Sequence, residues 1–146
     1  MSITRYAPNT VYLGGPRTEV NDLVASEAIT PGMLVERVSS SGLKWKKHAT
    51  AAAAGHAFAT EANMQNADID TDYAAADLVE VTIGAPGTTF YAIIASGANI
   101  AQADKLESAG NGKLRAWTAS PTPYVALESV NNSAGPGDAR IRVEVV

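Results

Sequence analysis

The chain has no cysteine, which excludes a disulfide framework, a thiol nucleophile and a thiolate metal site. Aromatics are scarce, at 6% of 146 residues, and much of the 46% apolar content is alanine, so Val, Ile and Leu are left to build the core. Long apolar runs are missing. No stretch approaches the ~20 residues that span a bilayer, and the start, Met1-Ser2-Ile3-Thr4-Arg5-Tyr6-Ala7-Pro8, lacks an apolar signal core. The expectation is a soluble protein made in the cytoplasm with no membrane partner. Lys and Arg number 11, scattered against 15 acidic residues for a net charge of -4, and no stripe of them tracks a phosphate backbone, so no nucleic-acid partner is expected.

What is present is a succession of short alternating segments. Met33 to Val38, Leu43 to Lys47, Ala57 to Glu61, Leu78 to Ile83, Thr89 to Ile94, Lys113 to Trp117, Tyr124 to Glu128 and Ala139 to Val146 read as strands. Pro31-Gly32, Ser39 to Gly42, Gly84 to Gly87 and Asn131 to Asp138 supply turns between them. No long amphipathic helix is visible. The expected fold is all-β, a compact barrel or sandwich of roughly ten short strands. Residues 1–22 read differently: Pro8, Gly14, Gly15 and Pro16 interrupt them, and Ile3, Tyr6, Val11, Tyr12 and Leu13 keep no period. They are read as an extended N-terminal arm docked by those apolar side chains, with a first edge strand of the same domain as the other reading; residues 23–146 are the β domain.

The β domain is written in two similar halves, about 25–83 and 95–145. Ala25 to Glu36 is echoed by Ala95 to Glu107, and the order holds through Leu34/Leu106, Phe58/Val125 and Val81/Val143. Trp45 and Trp117 fall at similar places in the two halves and are candidate oligomer or surface contacts; exposed tryptophans also stack on sugar rings.

Chemistry-bearing patterns are weak. Asp68, Asp70 and Asp72 have the spacing of the first ligands of a calcium loop, but Tyr73 stands where glycine is needed and Val79 where the bidentate glutamate belongs. His48 and His56 lie in no metal-ligand motif, no serine lies in Gly-x-Ser-x-Gly, and no glycine-rich phosphate loop is present. Asn131-Asn132-Ser133 matches a glycosylation acceptor without a secretion signal beside it. The expectation is no cofactor, no metal and no catalysis.

Ala28-Ile29-Thr30-Pro31-Gly32-Met33-Leu34-Val35, Phe58-Ala59-Thr60-Glu61, Asp104-Lys105-Leu106-Glu107-Ser108 with Gly110-Asn111-Gly112-Lys113-Leu114, and Val125-Ala126-Leu127-Glu128 with Ala139-Arg140-Ile141-Arg142-Val143 together resemble a family of tailed-bacteriophage capsid decoration, or cement, proteins. The resemblance covers about residues 23–146 and rests on strand and turn patterns. It implies a structural protein on the outer surface of the virion capsid, with the major capsid protein as partner and a homotrimer as the working form. The family's Gly-Asp turn is Ala103-Asp104 here, which puts the turn type in question. A carbohydrate- or receptor-binding β module on a virion is the alternative reading.

Overall fold

The computed structural model describes residues 7–53, 55–118, 123–135 and 137–146. They form thirteen strands: β1 (Tyr12–Gly14), β2 (Arg17–Ala25), β3 (Leu34–Val38), β4 (Ser41–Lys47), β5 (Ala57–Ala59), β6 (Leu78–Gly84), β7 (Thr89–Ile94), β8 (Asn99–Ile100), β9 (Lys105–Ser108), β10 (Leu114–Ala116), β11 (Tyr124–Ala126), β12 (Val130–Asn131) and β13 (Ala139–Val145). A 3₁₀ turn at Asn63–Gln65 is the only helical element among the described residues. The fold is all-β, with more strands than expected because β1, β8 and β12 are two or three residues long, too short to show a period.

The strands make two rings of the same design. The first is a closed barrel in the order β2-β4-β3-β5-β6. The second runs β7-β10-β9-β11-β13, and the pairing of β13 back onto β7 from Ala139↔Ile94 to Glu144↔Thr89 closes it. In both rings one pair is parallel, β2 with β4 and β7 with β10, and every other pair is antiparallel. Even a minor contact recurs: Ile29 bridges Tyr73 in the first half, and Ile100 pairs with Val130 in the second.

Register fixes which residues are equivalent. Ala59 pairs with Val81 and Ala126 with Val143, so Phe58 stands where Val125 does and Val81 where Val143 does. The Leu34/Leu106 match is off by one. Val35 is the counterpart of Leu106, since Val35 pairs with Ala57 as Leu106 pairs with Tyr124 and both point into their own barrel. Leu34 and Phe58, paired across β3 and β5, instead point out of the first barrel and into the core of the second. There Phe58 lies 4.5 Å from Phe90 and edge-on to Tyr124 at 5.7 Å, contacts worth about 0.5–1.5 kcal/mol each beyond the area they bury. Ile93 of β7 returns the favour in the first core.

The arm boundary at residue 22 is corrected. Arg17 to Val24 runs antiparallel to β6 as a full barrel strand. Its alternation is illegible because a bulge between Val20 and Leu23 changes which side chains face inward. The turn before β3 shows why position matters more than residue type. Gly32 has φ +98° and donates its N–H to Ala59 O at 2.8 Å; Ala103, at the equivalent place, keeps a positive φ of +74° and donates to Ala126 O at 2.8 Å. The alanine therefore preserves the glycine turn at the cost of Cβ strain.

Candidate functional site

The apolar residues assigned to the arm divide. Ile3 and Tyr6 lie outside the described residues. Val11 is fully buried in the core of the second barrel, which removes it from any surface a partner touches. Its carbonyl accepts the Tyr91 N–H at 2.7 Å, and Tyr12 and Gly14 of β1 pair with Phe90 and Thr89 of β7. Tyr12 and Leu13 are half-buried. The Tyr12 ring meets Phe90 edge-on, its hydroxyl donates to Gly15 O, and the Arg17 guanidinium lies 3.9 Å over its face. The second half of the segment is thus a first edge strand of its own domain. β-branched and aromatic character drives it there, since Val11 gains from burial only when the strand docks.

A residue with no motif of its own holds this segment. Glu61 follows β5 and is buried; its carboxylate accepts the Val11 N–H at 2.9 Å, the Thr10 hydroxyl, and the Asn63 amide at 3.4 Å. A charged acceptor satisfying a buried N–H contributes about 1.5–3 kcal/mol. Its counterpart in the second half, Glu128, instead binds Arg142 through the backbone N–H at 3.1 Å and the guanidinium at 2.5 Å. The clue in the sequence is the repeated Glu that closes each short strand.

The two tryptophans are not equivalent. Trp45, in β4 opposite Ala25, is buried in the first core, with Arg37 5.5 Å over its ring. Its register counterpart is Leu114, opposite Ile94 in the second barrel. Trp117 lies beyond the end of β10 and is 42% exposed. With Ala103, Asp104, Lys105 and Ala116 it lines an open hollow of about 360 Å³, and the Lys105 ammonium sits 5.0 Å from the ring centre.

Of the polar groups singled out in the sequence, Asp68, Asp70 and His48 make contacts within the scaffold. Asp68 accepts the Asp70 N–H at 3.0 Å and the Thr71 hydroxyl at 2.8 Å, and these bonds hold its carboxyl below the usual range. Asp70 faces Arg140 at 3.9 Å. Arg140, from β13, donates to Pro31 O at 2.8 Å and Ile69 O at 2.9 Å, pinning two loops of the first barrel. Burial lowers the pKa of its guanidinium, opposed by Asp70. Lys46 and Lys47 of β4 pair with Glu36 and Glu27, which offsets those two charges locally.

His48, Ser108 and Glu36 form an array that resembles a nucleophile, base and acid. His48 Nδ1 lies 2.8 Å from Ser108 Oγ, and Nε2 lies 3.7 Å from Glu36 Oε2. Ser108 is completely buried and its oxygen already accepts the Gly110 N–H at 3.1 Å. A carbonyl substrate has no approach to it. The array ties His48, just after β4 of one barrel, to β9 of the other.

No family model matches the chain, and no curated protein matches it. Among solved structures, the chain is similar to the N base of the head fiber protein gp8.5 of bacteriophage phi29, with a TM-score of 0.60 and 12% identity over 90% of this chain and 95% of that one. The likeness is one of fold, and it spans both barrels.

Proposed function

We propose that this chain is a structural protein of a phage virion that binds the outside of the assembled head and stabilises contacts between capsomers, without catalysis. One observation carries the reading: the two-barrel body, over nearly its full length, has the fold of the base of a phage head fiber. The strand and turn patterns that resemble capsid decoration proteins point the same way independently. The physics required is modest. A protein that binds the assembled lattice better than free subunits shifts the equilibrium toward the lattice, and copies joined in an oligomer such as the homotrimer gain effective concentration. The partner is the major capsid protein. A rigid body with two interlocked cores suits a role in which shape is the working property.

The test is a challenge of filled heads with and without the protein. Heads carrying it are expected to retain their DNA to a higher temperature, and equal release from both would refute the cementing role.

A second reading is favoured by one feature, the exposed Trp117 beside Asp104 and Lys105. Aromatic faces flanked by charged hydrogen-bonding groups hold sugar rings, so this corner is the place for a glycan on a displayed module. Glycan-array binding abolished by Trp117→Ala would promote that reading over cementing. Trp45, being buried, has no part in it.

A further inference from the structure

Strand register makes the two barrels equivalent position by position, and the patch that joins them can be located on both. Val35 pairs with Lys47 as Leu106 pairs with Ala116; the next residue along then donates its N–H in the same way, His48 to Leu34 O and Trp117 to Lys105 O, each at 3.0 Å. Trp117 therefore stands where His48 does and Lys105 where Leu34 does, with Val125 in the place of Phe58. On the first barrel, Leu34, His48 and Phe58 are buried against the second. On the second, Trp117 and Lys105 are exposed and Val125 is half-buried. One step further along, Thr60 is buried while its counterpart Leu127 is 38% exposed. The end unit of a repeated array needs a polar outer face; beside Lys105, the residues Trp117, Val125 and Leu127 keep this one apolar.

Within the chain, the seat on the first barrel is filled by the turn that enters β10. Leu34 N–H donates to Gly112 O at 2.8 Å and Gly112 N–H to His48 O at 3.0 Å. A Cβ at Gly112 would lie 3.2 Å from both Leu34 O and Met33 Cβ, so this seat is tight around a glycine. The equivalent positions of the second barrel, Ala103, Asp104, Lys105, Ala116 and Trp117, line the open hollow of about 360 Å³. Where the first seat has Met33 and Lys47, the hollow has the shorter Asp104 and Ala116, which leaves room for a side chain. The turn that enters β4 carries one: Leu43 stands two residues before Trp45 as Gly112 stands two before Leu114, and it is 72% exposed. A small residue in a tight seat is thus matched by a large residue and a wide seat at opposite ends of the molecule.

We propose that Leu43 of a second copy of this chain docks in the Trp117 hollow, repeating between copies the contact that joins the two barrels within one. The charges fit the same superposition. His48 meets Ser108 at 2.8 Å within the chain, and Arg37 is the counterpart of Ser108, since it pairs with Trp45 as Ser108 pairs with Leu114. The contact between copies therefore brings the exposed Arg37 guanidinium to the ring of Trp117, a cation–π pair. Because the two surfaces differ, the contact is head-to-tail, and the homotrimer proposed above is the case in which it closes into a ring. A sugar and this turn exclude each other from the hollow, so the assembled form leaves no place for the glycan.

The contact is tested on free protein, so its failure leaves the capsid reading standing, and Leu43 has no part in the glycan reading. Because the chain lacks cysteine, paired substitutions report on this contact alone. Full-length copies with one tag and Leu43→Cys are co-expressed with copies that carry a second tag and Ala103→Cys or Ala116→Cys. Oxidation is expected to give a reducible species carrying both tags. Leu78→Cys in place of Leu43→Cys, at an exposed apolar site elsewhere on the first barrel, is expected to give none. In sedimentation, Leu43→Asp is expected to raise the dissociation constant of the oligomer by about tenfold or more while the circular dichroism spectrum stays as in the parent. The proposal is overturned if the parent sediments as a monomer at every concentration, or if Leu43→Asp associates as tightly as the parent. It is equally overturned if the folded copies give no cross-link between tags, or if Leu78→Cys cross-links as readily as Leu43→Cys.

Discussion

Gly32 and Ala103 occupy the same turn in the two barrels, and exchanging their residue types is predicted to move stability in opposite directions. A Cβ at Gly32 would lie 2.5 Å from Arg140 Nη1, 3.1 Å from Tyr91 O and 3.2 Å from Ile93 Cγ1. The Tyr91 oxygen is backbone within β7 and has little room to yield; Arg140 has to move, giving up its 2.8 Å bond to Pro31 O. Left-handed strain of about 1 kcal/mol and the loss of a charged hydrogen bond of about 1.5–3 kcal/mol put the cost of Gly32→Ala at roughly 3 kcal/mol. Ala103→Gly removes about 1 kcal/mol of strain but returns about half of it as unfolded-chain entropy, for a net gain near 0.5 kcal/mol. At about 2–4 °C per kcal/mol for a chain of this size, Gly32→Ala should lower Tm by about 6–12 °C and Ala103→Gly should raise it by about 1–2 °C. Calorimetry of the two variants beside the parent decides it. A neutral Gly32→Ala, or an Ala103→Gly that loses a full kcal/mol, would refute both the equivalence of the turns and the strain argument.

Other outcomes follow from the same contacts. Glu61→Ala leaves the Val11 N–H buried without its acceptor and should cost about 2–3 kcal/mol, while Glu61→Gln, which keeps an acceptor, should cost less; chemical denaturation of both checks the order. Trp45→Ala empties the first core and should cost about 3–5 kcal/mol, whereas Trp117→Ala, at a half-exposed site, should cost under about 1 kcal/mol; equal effects would contradict the inequivalence of the two residues. Burial raises the pKa values of Tyr73 and Tyr124 above their ordinary 10. The unfolded chain therefore releases protons first as pH climbs past 10, and the stability present below that value is lost as pH rises toward the folded-state values. In an alkaline spectrophotometric titration these two phenolates should appear together with unfolding, and their ionisation in still-folded protein would contradict the burial.

The sequence shows the strands whose alternation is uninterrupted. β13 reads directly, because Ile141, Val143 and Val145 face the core and Arg140, Arg142 and Glu144 do not. β2 is hidden by its bulge, so a barrel strand looks like the end of an arm. The similarity of the halves is visible in residue types, yet the register at Leu34 is legible only from pairing: Leu34 and Val35 are both buried, one in each core, and hydrophobicity does not distinguish them. The same limit applies to the tryptophans, whose sequence positions are similar while one is core and the other rim. The Glu61–Val11 and His48–Ser108 contacts are long-range pairings; the Glu repeated after each short strand marks a position but not its partner, and only the folded chain brings the partners together.

Attachment of this chain to the outside of an assembled phage head, as proposed above, is open to direct test. The direct measurement is co-sedimentation of the purified protein with mature heads lacking it, beside the same capsid protein in unassembled form. Saturable pelleting with the heads and little association with free subunits are expected. Protein that stays in the supernatant at every head concentration, or that binds free subunits as well as it binds heads, would contradict it.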